Sequence, residues 1–260
     1  MSHSVAFENV GMTFRGRRGS QPYTALADFS HTVAENEFIC LLGPSGCGKS
    51  TVLNLVGGFA QPTSGRILVG GKPVDGPGPD RGMVFQQYAL FPWYTVQRNV
   101  ELGLEARGLP GPEQRERAER MLRTVGLWDH RLKYPKELSG GMRQRAAIAR
   151  TLVAEPDVIL MDEPFAALDA QTREHLQYQL LDIWETLKRT VIFVTHSVQE
   201  AVLLGDRVTI MGRQGGNIIA SIKSPLPRPR NRLDDAVVAF EREVHRHLEL
   251  AEGVHSEDAR

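Results

Sequence analysis

The segment FICLLGPSGCGKSTVLNLV, Phe38 to Val56, constrains this chain more than any other. Its octet GPSGCGKS matches G-x-x-x-x-G-K-[ST] and stands between an apolar run of strand length and a helical stretch. Glycines in such a loop let backbone N–H groups converge on phosphate oxygens, and the following helix turns the positive end of its dipole toward the same anion. Lys49 is placed to reach the β- and γ-phosphates, and Ser50 to offer its hydroxyl to Mg2+. The loop predicts a bound nucleotide without specifying the chemistry. The sequence has no N-K-x-D element for reading guanine.

The rest of the chain is organised around similar runs. Met83 to Phe85, Val158 to Met161, Val191 to Val194 and Val208 to Met211 are short, continuous and apolar, with helical patterns between them. Such runs suit parallel strands covered on both faces. Phe29/His31/Val33 and Ile218/Ala220/Ile222 alternate instead, as strands of an antiparallel edge layer do, so a mixed sheet is expected. Ala118, Met121, Leu122 and Val125 share one helical face, and Leu176, Leu180, Ile183 and Leu187 another. The charges of EQRERAERMLR read as a solvated face with i,i+4 pairs. No strand signal occurs from about Tyr88 to Glu155, which predicts a helical insertion in an α/β domain. The Pro/Arg run PLPRPRNR precedes a last helix with Val237, Phe240, Val244 and Leu248 on one face; this tail either packs on the domain or regulates it.

Two of the apolar runs end in residues suited to phosphate chemistry. VILMDEP delivers adjacent carboxylates: Asp162 suits a Mg2+ shell and Glu163 a general base that activates water. VIFVTH ends in His196, able to hydrogen-bond a γ-phosphate oxygen, and Gln86 follows GMVF in the same way. Taken alone, either residue reads more readily as a packing or capping residue. Two adjacent glycines in LSGGMRQRAAIAR open a further helix, a second anion-binding start to which Ser139 adds a hydroxyl.

These elements, in this order and spacing, closely resemble ATP-binding-cassette ATPases over nearly the whole chain. The resemblance implies a P-loop NTPase fold: a mixed, largely parallel core sheet flanked by helices, with an antiparallel β layer and a helical subdomain. Residues 1–87 would supply the first part of the core, 88–155 the helical subdomain, 156–223 the rest of the core, and 224–260 the tail. ATP would be held by Gly43, Pro44, Ser45, Gly46, Cys47, Gly48, Lys49, Ser50 and Thr51, and, from a second copy in a head-to-tail dimer, by Ser139, Gly140 and Gly141. Ser50, Gln86 and Asp162 would hold Mg2+, Lys49, Gln86, Glu163 and His196 would act in catalysis, and Asp169 would close the D-loop AALD. Phe14 matches the adenine-stacking aromatic by distance from the first strand, with Tyr23 the alternative. Ala166 and Met142 depart from common family residues without removing a phosphate ligand or a carboxylate. Cys47 reads as a small filler residue.

Only 90 positions separate Lys49 from Ser139, with no sustained heptads, which disfavours chromosome-type cassettes. Translation-factor types carry two cassettes, and this sequence has one. The segment from Gly76 to Gly108, with its LFPW run, resembles importer ATPases for nitrate, taurine and aliphatic sulfonates, and GPGPDRG looks most like the taurine type. Leu90, Phe91, Trp93 and Tyr94 would form either a groove for a helix of the membrane partner or the packing of the helical subdomain. The partners implied are separate permease subunits and a periplasmic or extracellular solute-binding protein, on the cytoplasmic face of a bacterial inner membrane.

Composition agrees with these limits. Among 260 residues, 31 Lys and Arg balance 31 Asp and Glu, so the excess positive charge that nucleic-acid coating requires is missing. No run approaches the 18 or so apolar residues of a spanning helix, and the start MSHSVAFENV does not resemble a signal peptide, so a soluble, cytosolic protein is expected. Two cysteines, Cys40 and Cys47, are too few for a disulfide framework.

Overall fold

The runs FICLL and TVIFVT form fully buried neighbouring strands in the computed structural model, which describes residues 3–15, 21–105, 107–213 and 215–253. In chain order the elements are β1 (Val5–Phe14), β2 (Tyr23–Val33), β3 (Phe38–Leu42), α1 (Lys49–Val56), β4 (Ser64–Val69), β5 (Lys72–Pro73), β6 (Arg81–Val84), α2 (Val96–Glu105), α3 (Gly111–Thr124) and α4 (Gly140–Leu152). They continue with β7 (Val158–Asp162), α5 (Ala170–Leu187), β8 (Thr190–Thr195), α6 (Val198–Leu204), β9 (Arg207–Met211), β10 (Ile218–Lys223) and α7 (Asp235–Glu252). Two compact units result, one from Met1–Pro77 with Thr190–Arg260 and the other from Gly78–Arg189.

In the first unit β3 pairs in parallel with β8 and with β9, so that Leu42 lies opposite both Thr195 and Ile210. The side chains of Phe38 and Phe193 meet at 5.8 Å between ring centroids. Burying each such side chain contributes about 1.5–3 kcal/mol, and continuous apolar runs are the composition that two covered faces demand. A separate antiparallel sheet has the order β2-β1-β4-β5. Here Phe29 and Val33 of β2 are buried with His31 half-buried between them, at the expected spacing of two, whereas Ala25 and Leu26 are both buried and Asp28, at φ 56°, breaks the alternation. Ile218/Ala220/Ile222 fall elsewhere: β10 pairs antiparallel with β9 at the edge of the parallel strands, outside the antiparallel sheet. Its alternation marks a half-covered edge, which periodicity by itself does not assign to a sheet. His31, half-buried on β2, lies 3.3 Å from the Thr209 hydroxyl of β9; burial, reinforced by Arg207, pushes its pKa down to about 4.

The tail packs on the first unit. Its helix α7 lies against α6, β9 and β10 and buries Val237, Phe240, Val244 and Ala251, whereas Leu248 remains partly exposed. A Schellman-like end at Gly253, with φ 77°, stops the helix.

In the second unit β6 and β7 pair in parallel, with Val84 opposite Met161. Among the described residues between them there is no strand, only α2, α3, α4 and 3-10 turns at Trp128–His130 and Pro135–Glu137. Helix α3 buries Ala118 and Leu122 and carries three i,i+4 ion pairs on its wet face, Glu113–Arg117, Glu116–Arg120 and Glu119–Arg123. Each adds only about 0.3–0.5 kcal/mol, in the favourable Glu-before-Arg order. On α5 the buried set includes Leu176, Leu180 and Ile183, with Leu187 half-buried near the helix end.

Candidate nucleotide site

The phosphate loop leaves β3 where that strand is paired with β8, so Gly43 and His196 emerge from the same ends of neighbouring strands. Gly48 caps α1 from the left-handed region, at φ 103°, and no side chain caps the helix. A Cβ at this position would lie 2.8 Å from the Ala25 carbonyl oxygen and 2.9 Å from Leu26 Cδ2, so only glycine fits. The first-turn amides of α1 are consequently not claimed by a cap and can serve an anion.

Lys49 is 6% exposed, and its ammonium donates to the carbonyls of Gly43 at 2.7 Å and Pro44 at 2.8 Å. A buried cation resting on neutral carbonyls can exchange either of them for a phosphate oxygen at little cost, because the anion is the stronger acceptor. Cys47 fills the loop interior, its sulfur 3.7 Å from the same ammonium, and both cysteines are buried free thiols. Ser45, Gly46 and Ser50 lie on the exposed side, and Thr51 is half-buried.

Phe14 and Tyr23 are direct cross-strand partners on β1 and β2, 43% and 52% exposed, so the two candidate aromatics form one patch. The Tyr23 hydroxyl donates to the Gly46 carbonyl at 2.6 Å. That tie between the patch and the phosphate loop has no signature in the sequence, since it spans 23 positions.

The second unit gathers the acids and the second glycine pair. Gln86 stands two residues beyond Val84 of β6, and Asp162 ends the neighbouring β7. Glu163 follows at φ 43°, a left-handed turn that breaks strand alternation directly after Asp162. Ser139 caps α4 by accepting the Met142 N–H at 3.3 Å. Gly141 lies where a Cβ would come 2.5 Å from Thr172 Cγ2, so the starts of α4 and α5 approach closely. Asp169 caps α5, accepting the Thr172 N–H at 3.0 Å, and that bond holds its carboxyl below the usual range.

Beyond Gln86, Phe91, Trp93 and Tyr94 form a mutual aromatic cluster with centroids 5.6–6.1 Å apart, and Trp93 is 65% exposed. Its loop is built on Asn99, fully buried on α2. The Asn99 side-chain oxygen accepts the Phe91 N–H at 2.8 Å, and its amide donates to the carbonyls of Phe91, Tyr94 and Thr95 at 3.0–3.1 Å. A lone Asn inside an amphipathic helix was the available signal for this scaffold. Sequence reasoning passed over it.

Residues 26–166 match the family model described as ABC transporter. The chain belongs to the ABC transporter family. It is 48% identical over 235 residues to the nitrate import ATP-binding protein of Synechococcus elongatus, covering 89% of this chain and 84% of that one. It is 47% identical to the bicarbonate transport ATP-binding protein of a Synechocystis strain, covering 88% and 81%. Among solved structures, the ATP-binding cassette MJ0796, a dimer in a post-hydrolysis state bound to ADP and phosphate, aligns with a TM-score of 0.75 at 34% identity over 84% of this chain and 98% of that one. The CbiO1 protein of Clostridium perfringens, part of an ABC transporter complex, aligns at 0.76 and 29% identity over 96% of each chain. The cassette is an ATP-binding, ATP-hydrolysing enzyme with the P-loop NTPase fold of this family.

Proposed function

We propose that this cassette energises import of a small anion through separate permease subunits. The observation that carries the reading is the near-50% identity, along most of both chains, to cassettes named for nitrate import and bicarbonate transport. Taurine and aliphatic sulfonates stand beside nitrate as the substrates we favour, on the strength of the GPGPDRG and LFPW segments.

In this reading two copies associate head to tail, as the dimeric cassette to which the chain is similar suggests. The α1 amides and Lys49 bind the phosphates of ATP, Phe14 stacks on the adenine, and the Ser139–Gly141 helix start of the second copy covers the γ-phosphate. Ser50, Gln86 and Asp162 offer oxygen donors, the hard ligands that Mg2+ takes, and the ion would supply positive charge against the phosphates. Glu163 accepts a proton from the attacking water as its oxygen bonds to the γ-phosphorus and the bond to the β–γ bridging oxygen breaks, leaving ADP and phosphate. His196 and Gln86 orient that water and the γ-phosphate.

The aromatic cluster at Phe91, Trp93 and Tyr94 is our candidate face for the permease, since aromatic anchors dominate interface energetics. No described helix is long and apolar enough to cross a membrane. In this reading the membrane subunits are separate chains, with this one bound at the cytoplasmic face and a solute-binding protein on the other side. The segments 88–155 and 224–260 would act as the helical subdomain and an accessory tail. Glu163→Gln is expected to bind ATP with unchanged affinity and to lose turnover by about 100-fold or more. Hydrolysis near the wild-type rate in the purified variant would remove Glu163 from its role. Growth of a deletion strain on taurine, alkanesulfonates or nitrate as the limiting nutrient tests the substrate, and normal growth on all three would exclude this group.

A further inference from the structure

The tail from Ser224 onward lies outside the matched family segment, yet it carries two arginines, Arg228 and Arg230, that bond to the end of α6. Helix α6 is only seven residues long, too short to hold itself together in water. A helix leaves its last four carbonyls without intrahelical partners, here those of Ala201, Val202, Leu203 and Leu204. The Gly205 N–H takes the first at 2.9 Å. Arg230 Nη1 donates to Val202 O at 2.7 Å and Leu203 O at 3.2 Å, and also to Gly205 O at 2.7 Å. Arg228 Nη2 takes Leu204 O at 2.5 Å and the Asp206 carboxylate at 2.9 Å. Every orphan carbonyl at this helix end is therefore satisfied, three of the four by the tail. Arg230 is 5% exposed, and removing it would strand buried acceptors at about 1–3 kcal/mol each.

The other end of α6 is wired to the residues that flank His196. The Thr195 hydroxyl donates to the Glu200 carboxylate at 2.6 Å and accepts the Ser197 N–H at 3.0 Å, while the Ser197 hydroxyl accepts the Glu200 N–H at 3.3 Å. His196 thus sits between two residues bonded to the first turn of α6.

We propose that Arg228 and Arg230 are positioning residues: by clamping the C-terminal end of α6 they hold His196 at the end of β8 in register for the γ-phosphate, which makes the tail part of the hydrolytic apparatus. This rests on the reading of His196 given above. Displacing a catalytic group by about 1 Å can cost up to about 100-fold in rate.

The test uses the full chain with MgATP, and compares Arg230→Ala, Arg230→Lys and Arg228→Gln with His196→Ala. Steady-state hydrolysis gives kcat and KM, deuterium uptake of the 196–205 peptide reports α6, and urea titration reports global stability. Arg230→Ala is expected to lower kcat by about tenfold with KM for ATP within about twofold, and to raise exchange in 196–205 selectively. Arg230→Lys, which keeps a donor cation, should recover most of kcat, and Arg228→Gln should show a smaller loss. Unchanged kcat in Arg230→Ala despite faster exchange in α6 overturns the proposal, as does a parallel fall of kcat, ATP affinity and urea midpoint. If Arg230→Ala does not fold, wild-type kcat and exchange in both Arg230→Lys and Arg228→Gln overturn it equally. Full activity in His196→Ala would instead refute the role given to His196, an outcome separate from the exchange result.

Discussion

Two helices of this cassette begin at glycine-rich starts, and they are built differently. Helix α1 begins at Gly48 in the left-handed region with no side-chain cap, and Lys49 folds onto the loop carbonyls. Helix α4 begins at Ser139 in extended backbone, and the serine caps its own helix through the Met142 N–H. The first start has no side-chain cap from its own N-cap residue and holds a buried lysine on two neutral carbonyls, which an anion, the stronger acceptor, can replace. The second is satisfied internally, and a phosphate must compete with its own cap. The difference suits the roles we propose, tight binding of the subunit's own nucleotide at α1 and conditional engagement of a partner's nucleotide at α4.

The comparison breaks most visibly at Lys49. Lys49→Ala removes the buried cation of the α1 start and is expected to lower hydrolysis by about 100-fold or more, as loss of one charge-stabilising donor does. A purified variant within threefold of wild type would show that the α1 amides suffice. Gly48→Ala comes next: the left-handed backbone and the close Ala25 carbonyl should cost about 1–3 kcal/mol, visible as a lower urea midpoint and weaker ATP binding. Equal stability would mean that the loop relaxes freely. The smallest effect is expected from Ser139→Ala, which deletes an exposed cap worth about 1 kcal/mol at most. Its stability loss should be accompanied by unchanged ATP affinity of the isolated subunit, and a fall in that affinity would contradict the division of labour between the two helix starts.

Much of the architecture was legible because it depends on neighbours in sequence. Buried runs such as FICLL and VIFVT need no partner to be recognised as interior strands, and the α3 ion pairs follow from spacing four residues apart. The phosphate loop, the acids after β7 and the glycine pair of α4 were likewise readable residue by residue. β1 was harder to read, because register shifts between Phe7 and Thr13 break its alternation. β4 begins Ser-Gly-Arg and buries little, so its strand character comes from pairing with β1. Leu248 shared the apolar face of α7, yet it stays partly exposed while Ala251 is buried, because the surface beneath α7 decides which turns are covered.

By itself the sequence determined which segments are interior and which glycine-rich starts, acids and amides stand at strand and helix ends, since these follow from local composition and period. Only the tertiary structure decided the bonds between distant positions: Tyr23 on Gly46, Asn99 beneath the aromatic loop, Arg230 on the end of α6. The physical reason is that a buried polar group must find its partner in space. That partner is set by packing, which residue spacing along the chain does not encode.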